Sequence, residues 1–211
     1  APGGNVQVSG NWSNSGTFTP SLNTVTFNGA GASILSGSTT FYNLASATAG
    51  KTLTFTRGST QTVTKDLTLT GTAGSPIIIN DTGAGAVPKL TLNSGATQSI
   101  NNVNVTNNDA SGGLQLIARG TSTLSGTTTN WSLGSSGTTY TWTGTTSTDW
   151  NTATNRDLGI VPSTTDTVII PSTVNQPTLA AATTVVNLTI NSGDTLTTNN
   201  NALTVTGNLT L

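Results

Sequence analysis

Apolar residues in this chain recur mostly at alternate positions, in runs too short to be helices. Between Lys51 and Gly120 the runs are Leu53-Thr54-Phe55, Val63-Thr64, Leu67-Thr68-Leu69, Ile77-Ile78-Ile79, Leu90-Thr91-Leu92, Ile100, Val103-Asn104-Val105 and Leu114-Gln115-Leu116-Ile117. Polar turns rich in Gly, Asn, Asp and Ser separate them. Alternation of this kind marks a strand with one buried face, and no window carries the i, i+3, i+4, i+7 spacing of an amphipathic helix. An all-β fold is expected.

Strand length and turn chemistry narrow the choice. A β-sandwich needs strands of about five residues or more, hairpin turns such as Asn-Gly or Asp-Gly, and large side chains filling a core about 10 Å thick. The turns in this stretch are Thr56–Ser59, Asn93–Ala96 and Asn107–Ala110, which suit the corners of a coil. A β-solenoid stacks coils at about 4.8 Å, so that each strand pairs with its equivalents above and below and a narrow core suffices. The solenoid is the expectation, with two β-sandwich domains as the alternative.

The run from Leu67 to Ile79, with Gly71, Gly74 and Pro76 inside it, is followed by Leu90-Thr91-Leu92, by Ile100 to Val105, by Gly112-Gly113 and by Asn130-Trp131. It looks like the right-handed β-helix repeats of large secreted bacterial surface proteins, over roughly residues 51–131, and Val25-Thr26-Phe27-Asn28-Gly29 extends the likeness upstream. The resemblance implies a right-handed β-solenoid on a secreted protein. Because the match is to a repeat grammar, activity has to be argued from sites. Residues 1–132 are expected to form the solenoid block, 133–165 a joint and linker, and 166–211 a second, shorter β block that stops in mid-pattern. Gly134 to Gly137 reads as the joint. Thr145 to Pro162 resembles the linker between successive blocks in that family, with Arg156 where the family places an aromatic.

Composition supports an exposed β-surface. Only 6% of residues are charged and 33% hydrophobic, all seven acids are Asp, and Thr is roughly one residue in four or five. Threonine favours half-exposed strands. A net charge of -1 offers no basic stripe for phosphates, so nucleic acid is not an expected partner. No apolar run is long enough to span a bilayer. Cys is absent, which removes disulfides and thiolate chemistry. Ala1-Pro2-Gly3-Gly4 reads as a mature terminus left by a cleaved signal peptide, which places the chain outside the cell or on its surface.

No catalytic residue, metal ligand set or cofactor is expected, because His, Cys and Glu are all missing. Lys65-Asp66 reads as a solvated ion pair at a turn. Asp149, Asn151, Asn155 and Asp157 lie within nine residues, a loose parallel to a calcium loop that reads better as Asx turns. Tyr140, Trp142 and Trp150 are expected as buried wedges, with sugar stacking as the other reading, and Trp12 and Trp131 as covering positions. Thr-x-Thr pairs at Thr52/Thr54, Thr62/Thr64, Thr68/Thr70, Thr139/Thr141 and Thr204/Thr206 are compatible with an ice-binding face or with ordinary outward strand residues. Sequons at Asn11, Asn80, Asn104, Asn130, Asn187 and Asn208 are candidate glycosylation sites, with glycans as a corresponding partner.

One further pattern points to self-association. Val6-Gln7-Val8-Ser9-Gly10-Asn11-Trp12-Ser13 has the same form as Leu203-Thr204-Val205-Thr206-Gly207-Asn208-Leu209-Thr210. Neither stretch is flanked by a capping helix or a charge cluster. Bare coils expose strand edges that template pairing, and head-to-tail pairing of unlike ends gives an open filament. The residues expected to carry it are Val6, Val8, Trp12, Leu203, Val205, Leu209 and Leu211. The expected function is a secreted structural protein that forms or extends a surface fibre with itself as partner. A carbohydrate- or ice-binding module and a fragment of a larger adhesin are the alternatives, and a polysaccharide-acting enzyme is a more distant one.

Overall fold

The computed structural model describes residues 3–134 and 137–211. Two compact units divide at Gly134 and Ser135. Strand makes up 44% and helix 1%, and in each unit the described residues form parallel stacked coils of a β-solenoid.

In the first unit the strands are β1 (Val6–Val8), β2 (Trp12–Ser13), β3 (Thr24–Phe27), β4 (Ser33–Ser36), β5 (Thr39–Ser46), β6 (Thr52–Phe55) and β7 (Thr60–Thr70). They continue as β8 (Ile77–Asp81), β9 (Lys89–Leu92), β10 (Thr97–Asn101), β11 (Val103–Thr106), β12 (Leu116–Ala118), β13 (Thr123–Ser125) and β14 (Trp131–Leu133). One sheet runs β1-β3-β5-β7-β10, with β9 also on β7; a second runs β2-β4-β6-β8-β11-β13; β12 pairs β14. The inner strands β3, β4, β5, β6, β7, β8 and β11 therefore pair with a strand from the coil before and one from the coil after. Every ladder between these strands is parallel. This excludes the sandwich alternative, whose sheets are antiparallel.

The alternation in the sequence becomes columns of side chains down the stack. Val25, Leu44 and Leu67 stand in register facing inward, all about 1% exposed. Leu53, Ile79 and Val105 form a second buried column. In-register stacking lets a thin core shield these side chains, which is how a chain with so few apolar residues buries a continuous interior. The column on Leu67 ends at Gln98, whose amide donates to the Gln115 carbonyl and accepts from the Ile117 N–H, both at 2.8 Å.

Side-chain amides hold successive coils at the corners. Asn5, Asn11, Asn43, Asn102, Asn107 and Asn187 each offer Oδ1 to a backbone N–H of the coil that follows, at Thr24, Ile34, Asp66, Thr121, Thr127 and Asn208, over 2.8–3.1 Å. In three of the six the donor follows a glycine. A Cβ on Gly120, Gly126 or Gly207 would lie 2.4, 2.2 or 2.5 Å from the Oδ1 of Asn102, Asn107 or Asn187. The missing side chain is thus the slot into which the amide of the preceding coil fits. Asn102 and Asn107 themselves sit at positive φ, 51° and 52°, which asparagine tolerates better than other side chains.

The second unit contains β15 (Thr139–Thr141), β16 (Thr167–Ile170), β17 (Thr183–Val185), β18 (Asn187–Ile190), β19 (Leu203–Val205) and β20 (Leu209–Thr210). Its sheets run β15-β16-β18-β20 and β17-β19, again parallel. Its core is Trp142, Trp150, Val168, Ile170, Leu179, Val185 and Leu188. The segment expected as a linker up to residue 165 is folded into this unit, because β15 supplies its first rung. Trp142, Trp150 and Asn155 are buried there. Ala1-Pro2, read as the mature end, and Ser135-Ser136, in the expected joint, lie outside the described residues.

Gly126 has φ +62°, and its missing Cβ is the space that Asn107 Oδ1 fills. Gly126→Ala is expected to lower stability by about 1–3 kcal/mol, from left-handed strain and loss of that fit, read as a fall in the urea midpoint. Gly74→Ala, at a position with open space, is expected to leave the midpoint nearly unchanged.

Candidate functional site

Strands at the ends of each unit's stack pair on one side only, and β13, β14 and β15 are among them. Among the described residues β1 pairs only β3, β2 only β4, β19 only β17 and β20 only β18. Each therefore presents backbone N–H and C=O groups along one side. Val8 is buried, while Val6, Trp12 and Phe18 are partly buried against the first unit's core. The Trp12 indole packs edge-on to Phe18 at 5.0 Å and donates its N–H to Thr39 Oγ1 at 3.0 Å. In the second unit Ile190, Leu196, Leu203 and Val205 only partly cover the core, and Leu209 and Leu211 are 53% and 82% exposed. A groove of about 440 Å³ runs here, lined by Ile190, Asp194, Leu196 and Leu211 among others. The seven expected self-association residues thus sit on two outer rungs. Of them, only Val8 is turned fully inward.

The aromatic cluster is a packed core element. Tyr140 and Trp142 are 0% and Trp150 1% exposed, so none offers a face on which a sugar ring could stack. The two indoles are nearly parallel with centroids 6.3 Å apart, and the Arg156 guanidinium lies 4.3 Å from the centroid of Trp142 and 4.5 Å from that of Trp150. The guanidinium packs as a planar group against both rings, because guanidinium stacks on π-faces. Its Nη2 donates to the Trp150 carbonyl at 3.1 Å, while Nε is buried without a partner. Burial pushes the guanidinium down to about 9, opposed by Asp157 and Asp149, so it remains a cation at neutral pH. The sequence offered one signal for this site, an Arg close to two Trp in a chain with few charges.

Asp149, Asn155 and Asp157, expected in Asx turns, accept from this segment's own backbone and hydroxyl groups. Asp149 accepts from the Asn151 N–H and the Thr152 hydroxyl, both at 3.0 Å. Asn155, fully buried, accepts from the Thr146 and Ser147 N–H groups and donates to Ser147 Oγ and the Asp149 carbonyl. Asp157 accepts from the Thr141 N–H at 3.0 Å. Among the described residues no cluster of acidic side chains could hold a metal ion.

Lys65-Asp66 lies inside β7 and not at a turn. A bulge there sets Phe41 opposite Val63 but Asn43 opposite Asp66, and Asp66 accepts from the Thr97 hydroxyl of the next coil. The threonine pairs line up only in part: Thr62 stands in register with Thr40 and Thr91, and Thr204 with Thr184. Thr52 and Thr54 stand beside Ile78 and Asn80, Thr68 and Thr70 beside Ser99 and Asn101, and Thr139 and Thr141 beside Thr167 and Ile169.

The sequons differ in how far their amides are engaged. The Asn130 amide donates to the Ala110 and Gly113 carbonyls and that of Asn187 to Thr167 Oγ1, so a glycan on either would break a bond between coils. Asn80 Oδ1 is buried without a partner, and Asn104 Oδ1 accepts from Thr123 Oγ1. Asn11 and Asn208 are exposed on the outer rungs, where a glycan would cover a strand edge.

Lys51 was not legible as an interior group. It is fully buried, and Nζ donates to the Gly31 carbonyl and Ser33 Oγ at 2.7 Å, while Ser33 donates to the Gly10 carbonyl. Burial holds its ammonium below the ordinary lysine value. The group ties the first coils together from within.

Among known families the chain is similar to a domain of unknown function, DUF8693, over residues 141–211, a span that falls within the second unit. No curated protein and no solved structure matches it. No helix among the described residues is long and apolar enough to cross a membrane.

Two outcomes follow from this geometry. Arg156→Ala removes the cation from two indole faces and leaves a gap, and is expected to cost about 2 kcal/mol or more, with loss of the coupled indole signal in circular dichroism. Because Asp149, Asn155 and Asp157 accept from this segment's own N–H groups and the Thr152 hydroxyl, excess EDTA is expected to leave the melting temperature unchanged; a fall on chelation would reveal a cation in this loop.

Proposed function

We propose that the chain is a secreted structural protein of the extracellular or cell surface, whose coils form or extend a fibre by head-to-tail association of subunits. The observation that carries this reading is the set of outer strands, β1, β2, β19 and β20, each paired on one side among the described residues and lying over apolar side chains the last coil leaves half covered. Such edges are templates for strand addition. All the ladders between named strands are parallel, so the coil that best continues the pattern enters in the same direction, which joins unlike ends and does not close on itself.

The rest of the molecule is consistent with a scaffold. Many of its Asn side chains are spent on bonds between coils, and its buried Tyr140, Trp142, Trp150 and Arg156 on packing. The secreted setting is supported by the low charge and the likeness to bacterial surface repeats. The partner in this reading is another copy, with Asn11 and Asn208 unmodified.

Light scattering on the purified chain tests this directly. The average mass is expected to rise above 21.2 kDa as concentration increases, with filaments visible by negative-stain electron microscopy. A constant monomer mass across the accessible range would contradict it.

A further inference from the structure

The corner amides of the stack have a direction. In all six cases described above the asparagine oxygen reaches forward, to an N–H in the coil that follows in sequence, and never back. Asn208 occupies the corresponding corner of the last described coil. Its own N–H is taken by Asn187 at 2.8 Å, directly after Gly207, whose missing Cβ is the slot for the Asn187 oxygen. The Asn208 side chain is exposed, and no described residue fills the place of the next N–H in the series.

The first coil carries the complementary half. Gly10-Asn11 stands between β1 and β2 as Gly207-Asn208 stands between β19 and β20, with the same spacing on either side: Val6 to Trp12 matches Leu203 to Leu209. A Cβ added to Gly10 would meet nothing within 4 Å, whereas Gly120, Gly126 and Gly207 each have an asparagine oxygen in that place. One coil thus has an amide without a slot and the other a slot without an amide. Beneath them, half-covered Leu203 and Val205 face the positions of Val6 and Val8, and exposed Leu209 that of Trp12.

Resting on the association proposed above, we infer its register: β1 and β2 of a second copy lie on β19 and β20, with Leu203 beside Val6, Thr204 beside Gln7, Val205 beside Val8, Leu209 beside Trp12 and Thr210 beside Ser13. In that register Asn208 Oδ1 enters the Gly10 slot and accepts the Asn11 N–H, continuing the run from Thr167 through Asn187 to Asn208. The partner is a second copy of this chain, and the recognition element is one amide in one glycine slot over a small apolar rung.

The chain has no cysteine, so introduced thiols report the register without background. Thr204→Cys and Gln7→Cys both replace exposed, outward residues. Neighbouring rungs at about 4.8 Å lie within the Cα range a disulfide spans. Mixed and oxidised, these two variants are expected to give a covalent dimer, whereas Thr204→Cys mixed with Ser13→Cys, six residues out of register, is not. Gly10→Ala, which fills the slot without touching the monomer, and Asn208→Ala are each expected to weaken association at least tenfold by light scattering, with the melting temperature of the dilute monomer unchanged. Association by the unmodified chain that neither substitution weakens, or that joins the out-of-register thiols equally well, would overturn the register while leaving fibre formation standing. A chain that stays monomeric at every concentration would overturn both.

Discussion

Parallel pairing of each strand with its equivalents one coil away is the interaction on which everything else in this molecule depends. It sets like residues above like residues, so a chain with 33% hydrophobic residues can gather them into continuous columns. The same pairing satisfies the backbone groups of inner strands on both sides and leaves those of the outer rungs half satisfied. An end strand of such a stack therefore carries, as a consequence of how it is held together, a row of backbone groups open to pairing along one side.

The corner asparagines convert this general tendency into a specific one. A strand edge alone accepts many partners and several registers. An amide that must enter a glycine slot fixes where along the strand the next coil sits. In the Asn102/Gly120, Asn107/Gly126 and Asn187/Gly207 pairs the fit is steric as well as hydrogen-bonded, since any side chain at the glycine would occupy the oxygen's place. Asn5, Asn43 and Asp66 extend the same device along a corner of the first unit, where each side chain holds the coil that follows.

What could be read in advance follows the same physics. The inward residues Leu53, Phe55, Leu67, Leu69, Val103 and Val105 were legible because period-two alternation is local. Strand length was less so. The inward positions of β7 step from Val63 to Leu67 across the bulge at Asp66, so an eleven-residue strand reads as two short ones. Thr145 to Pro162 looked like a linker because Asx turns and a lone 3₁₀ turn, Ala153–Asn155, carry no periodicity, and its burial depends on Trp142, Trp150 and Arg156 meeting in three dimensions. Lys51 gave no signal, since its partners are a carbonyl and a hydroxyl from the preceding coil. The outer-rung residues were legible as a repeat of form between Val6–Ser13 and Leu203–Thr210. The forward reach of the amides was not, because asparagine and glycine lie about twenty residues apart and join only when the coils stack.

The central claim is that assembly continues the stacking already present within the chain. Fibre diffraction from aligned filaments tests it most directly. Coil-on-coil extension predicts a sharp meridional reflection near 4.8 Å, with the strands running across the filament axis. Filaments whose 4.8 Å reflection falls on the equator would mean that copies associate side by side through some other face.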